Sequence, residues 1–161
     1  MLKFIYTIFI GVLFATLVGV GIAAFYESPK PPDYSTTPVR IANPNGLQTA
    51  EEIKKQEQQQ IKYDQEYKIF QEKDQEYNRN VSIISLIIAL FALIISLTLF
   101  KRLYIIADGL LLGGVLTLIY SIIRGFGAED NIFRFVVVAI GFVIAVVLGY
   151  IKFVPKESPK K

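Results

Sequence analysis

The sequence predicts an all-α integral membrane protein. Four transmembrane helices are expected, with a long helical, coiled-coil-like stalk continuous with the second span. Three observations predict this. Of 161 residues, 53% are hydrophobic and 19% charged, with mean hydropathy +0.45; ordinary soluble domains hold about 45–50% apolar and about 25% charged residues. The apolar excess is gathered into four runs, each near the roughly 20 residues that a spanning helix needs. Between Leu47 and Asp108 there is neither glycine nor proline, so no local signal stops a helix before the second run.

The first run, Phe4 to Tyr26, carries no charge and follows Lys3. It exceeds the about 7–15 apolar residues of a secretory signal, so a retained anchor is expected over a cleaved one, although Gly19 to Ala24 offers small residues at a cleavable position. The second run is Val81 to Phe100 and the third is Leu103 to Ile123, with Asp108 inside it. The fourth extends from Ile132 to Ile151, with Arg134 near its start and Lys152 closing it. The chain divides into a first transmembrane helix (1–26), a Pro-rich extended linker (27–48), a polar helical stalk (49–80), a three-helix transmembrane region (81–152) and a basic tail (153–161).

Lys3, Lys101, Arg102, Lys152, Lys156, Lys160 and Lys161 fall on one side of four such spans. Short-loop lysine and arginine set orientation, so both termini are expected in the cytoplasm and residues 27–80 outside, in a multi-pass plasma (cytoplasmic) membrane protein. Tyr26, Tyr104 and Tyr150 lie near the predicted boundaries, where interfacial anchors and ordinary helix-end tyrosines look the same.

Residues 27–48 hold five of the seven prolines and should be extended and semi-rigid. Asn43-Pro44-Asn45-Gly46 reads as a turn. Thr49-Ala50-Glu51-Glu52 then fits a capping box that starts the stalk. If Ala50 to Phe100 is one helix, its outer part rises about 45 Å at 1.5 Å per residue. Tyr63, Tyr67, Phe70 and Tyr77 follow a 4-3 spacing, with Asp74 filling the gap, and form a heptad-like contact face. Aromatic and polar residues replace the leucines of a strong coiled coil, so a solvated single helix and a weak association are the two readings, with association favoured. The tetrapeptide Asp-Gln-Glu-Tyr occurs twice, ten residues apart, but that offset turns a helix by about 280° and defines no face.

Small residues recur every four positions in three runs: Gly11, Ala15, Gly19 and Ala23; Gly109, Gly113, Thr117 and Ser121; Gly141, Ala145 and Gly149. Apolar helices in lipid associate through close backbone approach, which small residues permit. In the second run Ser82, Ser85, Ala89, Ala92 and Ser96 alternate three and four, which suits a left-handed crossing.

The absence of cysteine and histidine excludes disulfides, thiol nucleophiles and histidine-based catalysis within this chain. No metal motif or cofactor fingerprint is present, no cofactor is expected, and no enzyme activity is expected. Asp108 is the one acid inside an apolar run; with Lys101, seven residues back on nearly the same face and about 9 Å along the axis to the Lys101–Arg102 pair, it is a candidate intramembrane polar site. The leading expectation is a non-catalytic scaffold or interaction protein acting through an extracytoplasmic stalk. The alternative is a small channel or transporter component using Asp108 in a polar path. Expected partners are the lipid bilayer and either a second copy or another membrane or envelope protein. A formal charge of +3 does not indicate nucleic acid.

Overall fold

The computed structural model describes residues 1–32, 50–99 and 103–153. Among them all regular secondary structure is α-helical: α1 Leu2–Phe25, α2 Ala50–Leu99, α3 Tyr104–Phe126 and α4 Asn131–Phe153. All four helices are long and apolar enough to cross a membrane. The expected turn at 43–46, the capping threonine, most of the linker and the basic tail lie outside the described residues.

The ends of the helices have local causes. α3 runs past the expected Ile123 to Phe126. Arg124 in its last turn favours the negative end of the helix dipole, and the Gly127 amide closes the helix on the carbonyls of Arg124 and Gly125. Glu129 then takes a left-handed backbone conformation, φ 53°. Asp130 starts α4 as its N-cap, its Oδ1 accepting from the amides of Ile132 at 2.9 Å and Phe133 at 3.2 Å.

The chain forms two compact units. One holds Met1–Glu27 with Asn78–Lys161, and the other holds Ser28–Tyr77, so the division falls inside α2.

In the first unit α3 is central. α1 runs parallel to it, with Thr7 and Ile10 at Gly109 and with Gly11 and Phe14 at Gly113. A Cβ added at Gly109 would sit 2.7 Å from the Ile10 side chain, and one at Gly113 3.0 Å from the Gly11 carbonyl. These glycines are therefore what lets the two backbones meet. Residues 78–99 of α2 lie antiparallel along α3, pairing Ser82 with Ser121, Leu93 with Gly114, and Ser96 with Ala107. α4 lies antiparallel on another side, with Phe133 and Val137 at Gly125 and with Gly141 against Ile122 and Leu118. Leu86, Ala89 and Leu118 form a buried cluster, with Ile144 packed against it.

The small-residue stripes are used unequally. In α2 all five positions, Ser82, Ser85, Ala89, Ala92 and Ser96, are buried. In α3 Gly109, Gly113, Thr117 and Ser121 are buried too. In α1 only Gly11 is buried; Ala15 and Gly19 are half-buried, Ala23 is exposed, and a Cβ at Gly19 would meet nothing within 4 Å. In α4 Gly141 is buried, Ala145 is exposed, and a Cβ at Gly149 would also meet nothing. A four-residue step advances about 40° around a helix. A stripe of four small residues thus turns away from a straight partner after about two steps, whereas alternating three and four keeps one face on it.

The second unit contains residues 50–77 of α2 and the start of the linker. Ser28 to Pro32 has no regular secondary structure. Pro29, Lys30 and Pro32 line a cleft of about 310 Å³ together with Glu66, Ile69, Phe70 and Lys73 of α2.

Candidate functional site

Polar groups in the α1–α4 unit gather in three places along α3, and each is made by a different pair of elements. At its N-terminal end Asp108, one turn inside α3, meets Lys152, at the end of α4, with Nζ to Oδ1 at 2.7 Å. Both side chains are largely covered, at 19% and 27% exposure respectively. The sequence reading joined Asp108 to Lys101. The structure gives the carboxylate a cross-helix partner, and Lys101 lies outside the described residues. The antiparallel α3–α4 connection brings residue 152 back to the level of residue 108.

In the middle, the α2–α3 interface is a seam of hydroxyls. Ser82 Oγ donates to the Ser121 carbonyl at 2.8 Å, and Ser121 Oγ donates to the Ser82 carbonyl at 2.7 Å. Ser96 Oγ donates to the Ala107 carbonyl at 2.6 Å. Ser85 and Thr117 donate within their own helices, to the Val81 and Gly113 carbonyls. All five hydroxyl residues are essentially inaccessible. A buried hydroxyl must be satisfied, and each of these is.

At the C-terminal end of α3, Arg124 donates from Nη1 to Asn78 Oδ1 at 2.9 Å and from Nε to the Tyr120 hydroxyl at 3.1 Å. Its guanidinium also lies 5.4 Å from the Tyr120 ring centroid, within cation–π range. A Cβ at Gly127 would collide with the Asn78 side chain at 2.9 Å, so the turn is tight where Asn78 enters. Asn80 Nδ2 donates to the Tyr26 hydroxyl at 2.9 Å, tying the end of α1 to α2. That bond occupies the amide of the formal glycosylation sequon Asn80-Val81-Ser82, whose serine is buried. Arg134 donates from Nη1 to Asn131 Oδ1 at 3.4 Å, and its Nε is buried without a hydrogen bond.

No protein-family model, curated protein or solved structure matches this chain.

On the outer part of α2, the expected contact face is built in part by ring contacts. Tyr63 and Tyr67 stack with centroids 6.0 Å apart at 13°, and Phe70 follows at 6.2 Å from Tyr67. Tyr67 is exposed, Tyr63 and Phe70 are half-buried, and Tyr77 is buried. The heptad reading missed Ile61 and Ile69, which are exposed away from that face. Their spacing of eight was visible in the sequence.

Chemically, the three polar groups join helices. Among the described residues no cluster of acids has metal-ligand geometry. The buried hydroxyls of Ser82, Ser85, Ser96, Thr117 and Ser121 each donate to a backbone carbonyl. The interior hydroxyls are closed off by their own pairing.

Proposed function

We propose that this chain is a non-catalytic multi-pass membrane protein that acts as a scaffold, presenting the outer half of α2 as an interaction surface on the extracytoplasmic side of the plasma membrane. One observation carries the reading. α2 is a single 50-residue helix whose two parts are built to opposite rules. Residues 81–99 bury a complete stripe of small residues and hydroxyls. Residues 50–77 are rich in charge and glutamine yet leave Ile61, Tyr67 and Ile69 exposed. Apolar side chains displayed on a polar helix, Ile61 clear of the ring contacts and Tyr67 and Ile69 only partly engaged by their own chain, suit contact with another. The basic flanks support cytoplasmic termini.

A polar path through one chain has weaker support. Ser82, Ser85, Ser96 and Ser121 have no accessible surface, and the Asp108 carboxylate is held by Lys152.

A photoactivatable residue at Ile61, which is exposed on the same segment, tests the scaffold role in native membranes. A discrete adduct with another chain, lost on Tyr67→Ser with Ile69→Ser, is the expected result. No adduct in membranes containing all native partners removes the claim.

A further inference from the structure

A second surface of the α1–α4 unit has the chemistry of a lipid site. Leu2, Ile5, Tyr6 and Phe9 of α1 and Ile105 of α3 line an open groove of about 420 Å³ whose accessible lining is almost wholly apolar, and Lys3 stands in its wall. Lys3 is exposed and has no ion pair among the described residues. The acid closest in level, Asp108, is already taken by Lys152. Among the described residues Lys3 therefore stands as a cation without a carboxylate, at one end of a groove whose accessible lining is almost wholly apolar. Because α1 and α3 are parallel, both helices also turn the positive ends of their dipoles toward that level.

From these observations we propose that the groove binds one anionic phospholipid, its acyl chain along Ile5 to Phe9 and its phosphate at Lys3. The proposal rests on the membrane reading above. An extended peptide would leave backbone amides and carbonyls unpaired against this lining, whereas a hydrocarbon chain has none. The Lys3 ammonium is the charge complement of a phosphodiester, and attraction of this kind is typical of basic residues at anionic membrane surfaces.

The test uses the full chain in nanodiscs of phosphatidylcholine with trace phosphatidylglycerol bearing a photoactivatable acyl chain. Labelling is expected on residues 2–9 and at Ile105. Unlabelled phosphatidylglycerol should compete, while added phosphatidylcholine and inorganic phosphate should not. Lys3→Gln should weaken competition about fivefold, the usual effect of one basic residue at an anionic surface, and Lys3→Arg should preserve it. Ile105→Trp fills the groove and should abolish labelling; if that variant does not fold, the Lys3 pair still decides. Equal labelling by a phosphatidylcholine probe, or labelling indifferent to Lys3→Gln, overturns the proposal. So does efficient disulfide formation between two Phe9→Cys chains, which would put a second copy in the groove. Failure of the protein to float with membranes would instead overturn the membrane reading itself.

Discussion

At the scale of single residues, glycines in this chain differ sharply in what they do. Gly109 and Gly113 sit where a Cβ would enter Ile10 or Phe14. Gly113→Leu should therefore push α1 from α3 and cost about 1–3 kcal/mol, as overpacking usually does. Gly19→Ala, into open space, should change stability by less than about 0.5 kcal/mol. Thermal unfolding in detergent compares the two. The sequence stripes treated these positions alike, because spacing records periodicity and not which step faces a neighbour. Lys152→Met leaves Asp108 with a charge and no partner. Uncompensated buried charges cost about 3–5 kcal/mol. The partial exposure of this pair reduces the expected loss to about 1–2 kcal/mol on the same scale. Exchanging the two residues, Asp108→Lys with Lys152→Asp, should recover most of it, and denaturant unfolding of the three proteins reads the difference.

At the scale of elements, α2 and α3 were the most legible. The three-four alternation of Ser82, Ser85, Ala89, Ala92 and Ser96 stated both that one face is buried and which one. The sequence did not state that Ser82 and Ser121 exchange hydrogen bonds, because residues 39 apart meet only once the hairpin register is known. Ser82→Ala and Ser121→Ala should each cost roughly 0.6–1.7 kcal/mol, the range for hydrogen bonds between membrane helices. The double variant should cost close to the sum, because each hydroxyl donates to the other residue's carbonyl, which alanine retains, and only the 3.4 Å Oγ–Oγ contact is shared. A double-mutant cycle on thermal stability checks this. The ring contacts of Tyr63, Tyr67 and Phe70 lie at positions of the heptad spacing, whereas the exposed Ile61 and Ile69 were passed over because they lie off that spacing.

At the scale of the whole molecule, four apolar helices were readable from run length alone. The arrangement around a central α3 was not, since three runs carried similar small-residue spacing. Orientation rests on basic residues, and reporters can read it directly. Fusions at residue 45 and after residue 161 should report opposite sides of the membrane, with the C-terminal one cytoplasmic; the same side for both would require an odd number of crossings between them to be abandoned. The second unit was legible mainly through absence, since no glycine or proline interrupts α2. The placement of Pro29 and Pro32 at a cleft with Ile69 and Phe70 had no sequence signal.

The hydroxyl bonds also bear on biosynthesis. α1 leaves the ribosome long before α3, and its two threonines bond to its own carbonyls, Thr7 to Lys3 and Thr16 to Val12. In a membrane those two threonines would enter lipid already paired. Ser82 and Ser96 of α2 must wait, but only for the next segment translated, which brings Ser121 and the Ala107 carbonyl. Lys152 arrives last and finds Asp108 in place. In a membrane, polar groups would thus go unpaired for no longer than the synthesis of the following helix or two, so the order of the chain is itself an insertion schedule.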